Sequence, residues 1–193
     1  MNWLTIKEKL GKKSAGIAGA GGLGSNCAAA LVRVGIGRLV ICDFDIVEES
    51  NLNRQFYFHD QIGLAKTEAL KTNLLRINPK VIIESHRIRL TSDNIPELFH
   101  EVDVLFEAFD HADQKVMIIE SALTVWPERP LIIGSGMAGF GDSNSIHLRT
   151  VGNLYICGDE ISEVAQELPP LAARVGIVAN MMANTGIEIL LKK

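Results

Sequence analysis

A glycine-rich stretch, GIAGAGGLGSN at residues 16–26, has the spacing of a nucleotide-binding turn. Gly19, Gly21 and Gly24 spell G-x-G-x-x-G, the usual fingerprint of a nicotinamide dinucleotide site. Glycine lets the backbone approach a ligand closely, and a following helix offers unpaired N–H groups to an anion. The stretch predicts nucleotide binding, with an ordinary tight turn as the alternative. It does not name the nucleotide, and the P-loop pattern G-x-x-x-x-G-K-[ST] does not occur in the sequence.

Asp43 is a carboxylate in the expected place for binding ribose hydroxyl groups. It lies nineteen residues after Gly24, near the end of a second apolar segment, RLVICDFD at 38–45. A surface aspartate in a turn is the alternative interpretation. For Asp45, two residues further on, shaping the loop is the alternative to ligand binding.

The loop SNLNRQ, residues 50–55, concentrates amide and guanidinium groups beside the same expected edge of the sheet. Its candidates are Asn51, Asn53, Arg54 and Gln55. Such loops are more often solvated surface. An arginine in this position could instead clamp a phosphate through a forked, bidentate contact.

Lys66 is at the head of the core-facing stripe of a predicted helix at 63–77. Leu70, Leu74 and Ile77 follow it at i+4, i+8 and i+11, so the four side chains share one face. A lysine on such a stripe is unfavourable unless it reaches an anion or water. Because the helix begins at the carboxyl edge of the sheet, Lys66 is predicted to point at nucleotide phosphates. A lysine that snorkels to solvent is the alternative.

Asp110 ends a fourth predicted strand, VDVLFEAFD at 102–110, at the same edge. A carboxylate there could hold a magnesium ion that bridges phosphate oxygens. The alternative is an N-cap for the helix that starts near Ala112. His111 is explained as a turn residue, and Asp113 as a carboxylate in the first turn of a helix.

Taken together, these groups favour a polyphosphate that undergoes chemistry. A hydride-transfer enzyme needs only the glycine turn and the ribose carboxylate. Arg54, Lys66 and a magnesium-binding Asp110 would neutralise a triphosphate, which favours ATP and attack at a phosphorus atom. A nicotinamide-dependent oxidoreductase is the alternative, and it leaves these three residues without a role.

Short apolar segments alternate with helical ones along the chain. Predicted strands lie at 14–20, 38–45, 80–88, 102–110 and 129–136, and predicted helices at 22–35, 63–77, 92–102 and 112–126. Strict alternation implies right-handed crossovers and a parallel sheet. Two further short strands, SIHLRT and NLYICGD, and a closing helix follow. The sequence predicts an α/β, Rossmann-like three-layer fold, with a mainly parallel sheet covered by helices and a short antiparallel C-terminal extension. We expect a single nucleotide-binding domain over residues 1–193.

Composition argues against several classes of function. The 193 residues are 47% hydrophobic with a net charge of -4, which suits one domain and argues against nucleic-acid binding. No apolar run reaches the length of a membrane span, and the N-terminus has no apolar signal core. The cysteines, at 27, 42 and 157, form no C-x-x-C pair, so we expect a cytoplasmic protein without structural zinc.

Four blocks of the sequence together resemble the ThiF/MoeB/ubiquitin-activating superfamily. The blocks are GAGGLGSN, DFDIVEESNLNRQ, GLAKTEAL and EAFDHAD, in the order and spacing of that family. SGMAGFGDSNSI and LYICGD further resemble a short, single-domain branch of ThiF, the adenylyltransferase for the sulfur carrier ThiS in thiamine biosynthesis. The resemblance runs from about Ile17 to Leu191.

The resemblance implies a reaction and a set of residues for it. The C-terminal glycine carboxylate of a ThiS-like carrier ending in Gly-Gly would be joined to AMP from ATP, with Mg²⁺ present and pyrophosphate released. A homodimer and a sulfur donor such as a cysteine desulfurase are the other implied partners. In this resemblance the nucleotide would be contacted by Gly19, Gly21, Gly22 and Gly24, and its ribose would be bound by Asp43. The triphosphate would be contacted by Asn51, Arg54, Gln55 and Lys66. Asp110 would coordinate magnesium.

The sequence departs from the family pattern in three places. The paired C-x-x-C zinc site of longer relatives is absent. In longer relatives an N-terminal helix lends an arginine to the partner subunit's site. This helix has no clear match here, since the basic residues that precede Arg33 are all lysines. Cys157 is the one candidate for the catalytic cysteine of some relatives, with inert packing as its alternative; Cys27 and Cys42 are predicted to pack.

The physiological carrier stays open at this point. A molybdopterin-type or other sulfur carrier has the same Gly-Gly tail as a ThiS-like one. A non-catalytic relative that binds a carrier without chemistry is a further alternative, but such a protein would be expected to lose Arg54, Lys66 and Asp110.

Overall fold

A seven-stranded sheet forms the centre of the computed structural model, which describes residues 1–192. Its strands are β1 (Ser14–Ala18), β2 (Arg38–Asp43), β3 (Ile82–Arg87), β4 (Val104–Glu107), β5 (Leu131–Gly134), β6 (His147–Val151) and β7 (Leu154–Gly158). Their order across the sheet is β3-β2-β1-β4-β5-β7-β6, with β6 antiparallel to β7 and every other pair parallel. The predicted α/β fold, with its mainly parallel sheet and antiparallel C-terminal extension, is confirmed.

Helices cover both faces of this sheet. They are α1 (Trp3–Leu10), α2 (Gly22–Val34), α3 (Lys66–Ile77), α4 (Ile95–Leu98), α5 (Ala112–Val125) and α6 (Ala172–Lys192). One hydrophobic cluster joins the sheet to α1, α2, α3 and α6, and a second joins it to α4 and α5. Successive residues of β1 point to opposite faces of the sheet, as two covered faces require. Ile17 belongs to the first cluster, and Gly16 faces Phe99 in the second.

The strand order reverses between β1 and β4. From β1 the chain crosses to β2 and β3 on one side, and then returns to β4 and β5 on the other. Open α/β sheets bind ligands at the carboxyl ends of the strands where such a reversal occurs. That crevice lies beside the glycine turn, which leaves the end of β1.

The predicted bounds of α2 agree with the structure to one residue, while several other elements, among them α3, α4 and β4, are shorter than predicted. Helix α2 begins at Gly22 and is followed by Gly35, whose φ of 98° gives a left-handed C-cap. The strand predicted over 102–110 is shorter, because β4 ends at Glu107. Asp110 therefore lies in the turn beyond the sheet instead of at the end of the strand.

The N-terminal segment forms a helix, α1, for which the sequence analysis found no match. Asn2 caps it by accepting a hydrogen bond from the N–H of Thr5 at 3.0 Å. Of its eight residues only Leu10 is buried. Among its apolar residues, Trp3, Ile6 and Leu10 lie at i, i+3 and i+7, the spacing of one helical face, which the sequence analysis did not use.

The closing helix, α6, packs against α2 and lies close to the sheet. Gly186 allows this approach, since a Cβ atom there would stand 2.5 Å from the ring of Phe106. α6 has 21 residues, yet neither it nor another helix in residues 1–192 combines the length and apolarity needed to cross a bilayer.

A buried ion pair holds the loops that follow β5 and β7. Arg174, in the first turn of α6, donates to Asp159 Oδ2 at 2.5 Å, and both side chains are buried. The same guanidinium donates to the carbonyl of Gly141 and to Ser145 Oγ, while Asp159 Oδ1 accepts from the N–H of Ser162 at 2.8 Å. The pair thus connects α6 to two loops at the carboxyl edge of the sheet.

We expect Asp159→Asn to lower the free energy of unfolding at pH 7 by about 3–5 kcal/mol, because it leaves Arg174 buried without a counter-ion. Although burial acts to raise it, hydrogen bonds from Ser162, Ile161 and Arg174 hold the pKa of Asp159 well below its ordinary value. Because Asp159 has a lower pKa in the folded protein than in the unfolded chain, its carboxylate stabilises the fold fully above the unfolded pKa. This stabilisation is lost as the pH falls through the folded pKa. The difference between wild type and variant should therefore shrink below about pH 4.

Urea unfolding followed at several pH values would measure this. Asp142→Asn is the matched control, since Asp142 is an exposed carboxylate in the same loop region and should change stability by no more than about 0.5 kcal/mol. Equal, small losses in the two variants would show that the buried pair does not hold these loops.

Candidate active site

The glycine turn joins the end of β1 to the start of α2, and two of its glycines are required by geometry. Gly19 has a φ of +96°, a left-handed conformation that side chains rarely adopt. At Gly24, a Cβ atom would stand 1.8 Å from the carbonyl oxygen of Gly19. The N-cap of α2 is Gly21, so the first N–H groups of the helix face the crevice without a capping side chain.

Asp43 lies at the end of β2, next to this turn. Its Oδ2 accepts a hydrogen bond from the N–H of Ala20 at 2.6 Å, and its Oδ1 accepts one from the N–H of Asp45 at 2.8 Å. Burial raises the pKa of Asp43, while these two backbone hydrogen bonds act in the opposite direction. The predicted ribose carboxylate is therefore also the group that holds the turn against β2.

Lys66 is the first residue of α3 and is only 6% exposed, as the core-facing stripe predicted. Its Nζ donates to Asp45 Oδ2 at 2.8 Å, and its backbone N–H donates to the Asp45 carbonyl at 3.0 Å. Lys66 therefore does not snorkel freely to solvent. It is held by a carboxylate that follows the end of β2.

Tyr57 completes a ring of contacts around these groups. Its hydroxyl donates to the carbonyl of Ala20 at 2.7 Å and lies 3.4 Å from the carbonyl of Lys66. Hydrogen bonds thus run from Ala20 to Asp43, on to Asp45 and Lys66, and back through Tyr57. We call these five residues the Ala20–Lys66 ring; it fixes the glycine turn relative to the start of α3.

The loop 50–55 is more buried than a solvated surface loop. Asn51 and Gln55 are both buried, and Asn51 Oδ1 accepts from the N–H of Glu48 at 3.0 Å. Within residues 1–192 the buried Oε1 of Gln55 has no hydrogen-bond partner. A buried amide with an unused acceptor is unfavourable in a purely structural role, so its place beside the crevice is consistent with ligand binding.

The side chain of Arg54 extends from this loop towards the glycine turn. Its guanidinium donates to the carbonyl of Ser50 at 3.2 Å and to Asn53 Oδ1 at 2.7 Å. A Cβ atom placed on Gly22 would stand 3.6 Å from Arg54 Cγ, so the stem of the arginine covers the start of α2. Most of the donors of this forked group remain available to a ligand.

Asp110 lies in the turn between β4 and α5, with a side chain that is 92% exposed. The N-cap of α5 is His111, so Asp110 does not have the capping position that was its alternative. Beneath it, the fully buried Glu107 accepts hydrogen bonds from Lys115 Nζ at 2.9 Å and from the N–H of Phe109 at 2.6 Å. This ion pair fixes the turn that carries Asp110.

A cavity of about 340 Å³ brings the predicted phosphate-binding side chains together. Its lining includes Asn51, Arg54, Gln55, Lys66 and Asp110. These residues come from three separate segments of the chain, and the structure places them around one space beside the glycine turn. Asp43 is not part of the lining and lies behind the turn.

The charges around this cavity do not favour an anion by themselves. Among the described residues that line it, Arg54 and Lys66 are cationic, while Asp45, Glu48 and Asp110 are carboxylates. The two positive charges are outnumbered, so a polyphosphate would need a further cation to bind well. Exposed carboxylates beside phosphates are typical magnesium ligands.

A second concavity, of about 380 Å³, lies near the starts of β4 and β5, away from the glycine turn. Its cation, Arg129, donates to the carbonyls of Phe99 and His100 and stacks on the ring of Trp126. Because the guanidinium is used in these structural contacts, we assign no ligand to this concavity.

The sequence analysis missed one residue of the site and the contact of another. Tyr57 gave no signal, since a tyrosine after a polar loop has no characteristic spacing. Asp45 was considered for ligand binding or for shaping its loop, but not for the ion pair that it forms with Lys66. A carboxylate two residues after the ribose aspartate could have indicated this pairing, had the start of α3 been placed next to it.

The catalytic role considered for Cys157 does not fit its position in the structure. It lies in β7, fully buried in the cluster that also contains α6, so its thiol does not face the cavity. Burial raises the pKa of the Cys157 thiol to about 11, which leaves little thiolate at neutral pH. Such a placement does not fit a covalent catalytic role. Cys27 and Cys42 are also buried, as predicted.

The strand order and the cavity define a Rossmann-like α/β domain with a candidate site at the carboxyl edge of its sheet. Sequence comparison identifies the family: the ThiF family matches residues 5–193, and the chain belongs to it.

Two curated relatives illustrate the similarity. The chain is 33% identical over 184 residues to adenylyltransferase and sulfurtransferase UBA4 of Eremothecium gossypii, covering 90% of this chain and 40% of that protein. It is 35% identical over 130 residues to adenylyltransferase and sulfurtransferase MOCS3 of Aedes aegypti, covering 67% and 29%. The chain thus spans less than half of the length of these relatives.

Solved structures share the fold. The E. coli tRNA N6-threonylcarbamoyladenosine dehydratase TcdA, solved in complex with ATP, gives a TM-score of 0.88 at 20% identity, covering 97% of this chain and 89% of that chain. E. coli MccB with ATP gives a TM-score of 0.75 at 20% identity, covering 98% and 59%. At this identity the likeness establishes the fold alone.

We expect Gly24→Ala to destabilise the protein by about 1–3 kcal/mol and to weaken nucleotide binding, because the added methyl collides with the Gly19 carbonyl and displaces the turn. Gly176→Ala is the matched control. Gly176 is also helical but has no atom within 4 Å of an added Cβ in the described structure, so alanine should stabilise by about 0.5–1 kcal/mol. Thermal unfolding and ATP titration of both variants measure this, and unchanged binding in Gly24→Ala would contradict the role of the turn.

Proposed function

We propose that this protein binds ATP with magnesium in the cavity and transfers AMP to a carboxylate, releasing pyrophosphate. The observation that carries the proposal is the convergence of Arg54, Lys66 and Asp110 on one cavity beside a glycine turn. Membership of the ThiF family and similarity to proteins named adenylyltransferases support it. A nicotinamide-dependent enzyme would have no use for the two cations and the exposed carboxylate.

The chemistry requires charge neutralisation more than proton transfer. A carboxylate is already ionised at neutral pH, so the attacking oxygen needs no general base. Its oxygen forms a bond to the α-phosphorus as the bond from that phosphorus to the bridging oxygen breaks, and the electron pair leaves with pyrophosphate. The protein must hold two anions together in line, which is a task of alignment and electrostatics.

Each side chain has a position that suits this task. Arg54 reaches the cavity from the loop 50–55 with most of its donors available. Lys66 presents its ammonium from the start of α3. The first N–H groups of α2 lie at the same crevice without a capping side chain, and Asp43 lies at the end of β2, where a ribose would be bound.

Asp110 is the residue that would hold magnesium. In residues 1–192 no three His, Cys, Asp or Glu side chains cluster to bind a metal alone. One exposed carboxylate facing a phosphate site fits magnesium, which commonly takes one or two carboxylates together with substrate phosphates. When bound, the ion would supply the positive charge that the cavity lacks.

For the acceptor we propose the C-terminal carboxylate of a ubiquitin-like sulfur carrier ending in Gly-Gly. UBA4 and MOCS3, named as adenylyltransferase and sulfurtransferase, support a sulfur carrier. A ThiS-like carrier, and with it thiamine biosynthesis, is one member of this class, and a molybdopterin-type carrier is another. A cysteine desulfurase as sulfur donor and a homodimer belong to the same proposal.

Exchange of labelled pyrophosphate into ATP tests the proposal. We expect exchange by the wild type that needs magnesium and a carrier ending in Gly-Gly. Asp110→Asn should reduce it by about a hundredfold or more, since it removes the carboxylate that would hold magnesium beside the reacting phosphates. Because Asp110 is almost fully exposed, the fold should be unchanged.

Asp113→Asn is the matched control, since Asp113 is an exposed carboxylate in the first turn of α5. It should retain near-normal exchange. Near-normal exchange by Asp110→Asn would remove the magnesium assignment. An inactive wild type with every carrier tested would overturn the proposed function.

A further inference from the structure

Lys66 is held by one side chain. Among the described residues, Asp45 Oδ2 is the only hydrogen-bond partner of Lys66 Nζ, at 2.8 Å. An ammonium group has three N–H donors, so two remain. Since Lys66 lines the cavity and is otherwise buried, these two donors are available to a ligand in the cavity.

The backbone of Asp45 is held at both its N–H and its carbonyl. Its N–H donates to Asp43 Oδ1 at 2.8 Å, and its carbonyl accepts from the N–H of Lys66 at 3.0 Å. Both partners belong to the Ala20–Lys66 ring. The Cα atom that carries the carboxylate is therefore fixed, although the side chain of Asp45 is 48% exposed.

A carboxylate at this point is unfavourable for simple anion binding. It lines the same cavity as Arg54 and Lys66 and lowers the net charge that an incoming polyphosphate meets. A site selected only for affinity would have a neutral hydrogen-bond acceptor here. The position of Asp45 is better explained by orientation of Lys66, whose long side chain has many rotamers.

We propose that Asp45 is a positioning residue that orients the Lys66 ammonium towards the phosphates in the transition state. It holds one N–H of Lys66 and leaves the other two directed at the cavity. This inference rests on the proposed adenylation and adds to it a residue that acts through Lys66. It also predicts that Asp45 reduces affinity for ATP while it increases the rate of reaction.

The test separates these two effects in Asp45→Ala and Asp45→Asn. In pyrophosphate exchange we expect Asp45→Ala to lower kcat about tenfold to a hundredfold, because the ammonium is no longer aligned. The Kd for magnesium-ATP, measured by calorimetry, should stay equal or become smaller, since a negative charge has been removed. Asp45→Asn keeps an acceptor oxygen in the same place and should recover most of kcat.

The variant Lys66→Met tests whether Asp45 affects kcat through Lys66. If Asp45 acts through Lys66, adding Asp45→Ala to Lys66→Met should cause no further loss of kcat, so the two losses are not additive. A merely structural role would weaken kcat and ATP binding together and would do so in both backgrounds. Thermal unfolding of each variant gives the stability needed for this comparison.

Three results would overturn the inference. They are a kcat of Asp45→Ala equal to that of the wild type, a parallel loss of ATP binding, or a full additional loss in the Lys66→Met background. With an active wild type, each of these leaves the proposed function intact. A wild type that is inactive with every carrier overturns the proposed function, and this inference with it.

Discussion

The site depends on the hydrogen bonds that connect the glycine turn to the start of α3. Asp43 holds the N–H of Ala20, Tyr57 holds its carbonyl, and Asp45 joins Asp43 to Lys66. These contacts bridge segments that are distant in sequence. They turn a flexible backbone bend and a long side chain into a fixed arrangement, which is what charge stabilisation in a reaction requires.

Electrostatics sets the second constraint. The described lining of the cavity carries more carboxylates than cations, and the proposed reactants are both anions. The arrangement makes sense if positive charge arrives with the nucleotide as magnesium. It also explains why so much of the structure serves to orient Arg54 and Lys66, because a small number of cations must be placed well to be effective.

Local spacing was sufficient to predict much of the fold and part of the site. The glycine turn follows from its motif, Asp43 from its distance along the chain to that motif, and the buried face of Lys66 from helical periodicity. Tyr57 and the role of Asp45 could not be predicted, because they depend on which segments meet in space. The two alternatives for Cys157, catalysis and packing, stayed open for the same reason: its strand pattern did not show that α6 covers it. The roles of the site residues and the single-domain extent over 1–193 stay predictions.

We propose that the cavity directs a carboxylate to the α-phosphorus of ATP. Intact-mass measurement of a Gly-Gly carrier after incubation with the protein, ATP and magnesium tests this most directly. The account predicts a carrier heavier by one adenylyl group, with pyrophosphate as the co-product. A carrier heavier by a phosphoryl group with ADP released, or a carrier of unchanged mass while NADH is bound tightly and ATP is not, would contradict it.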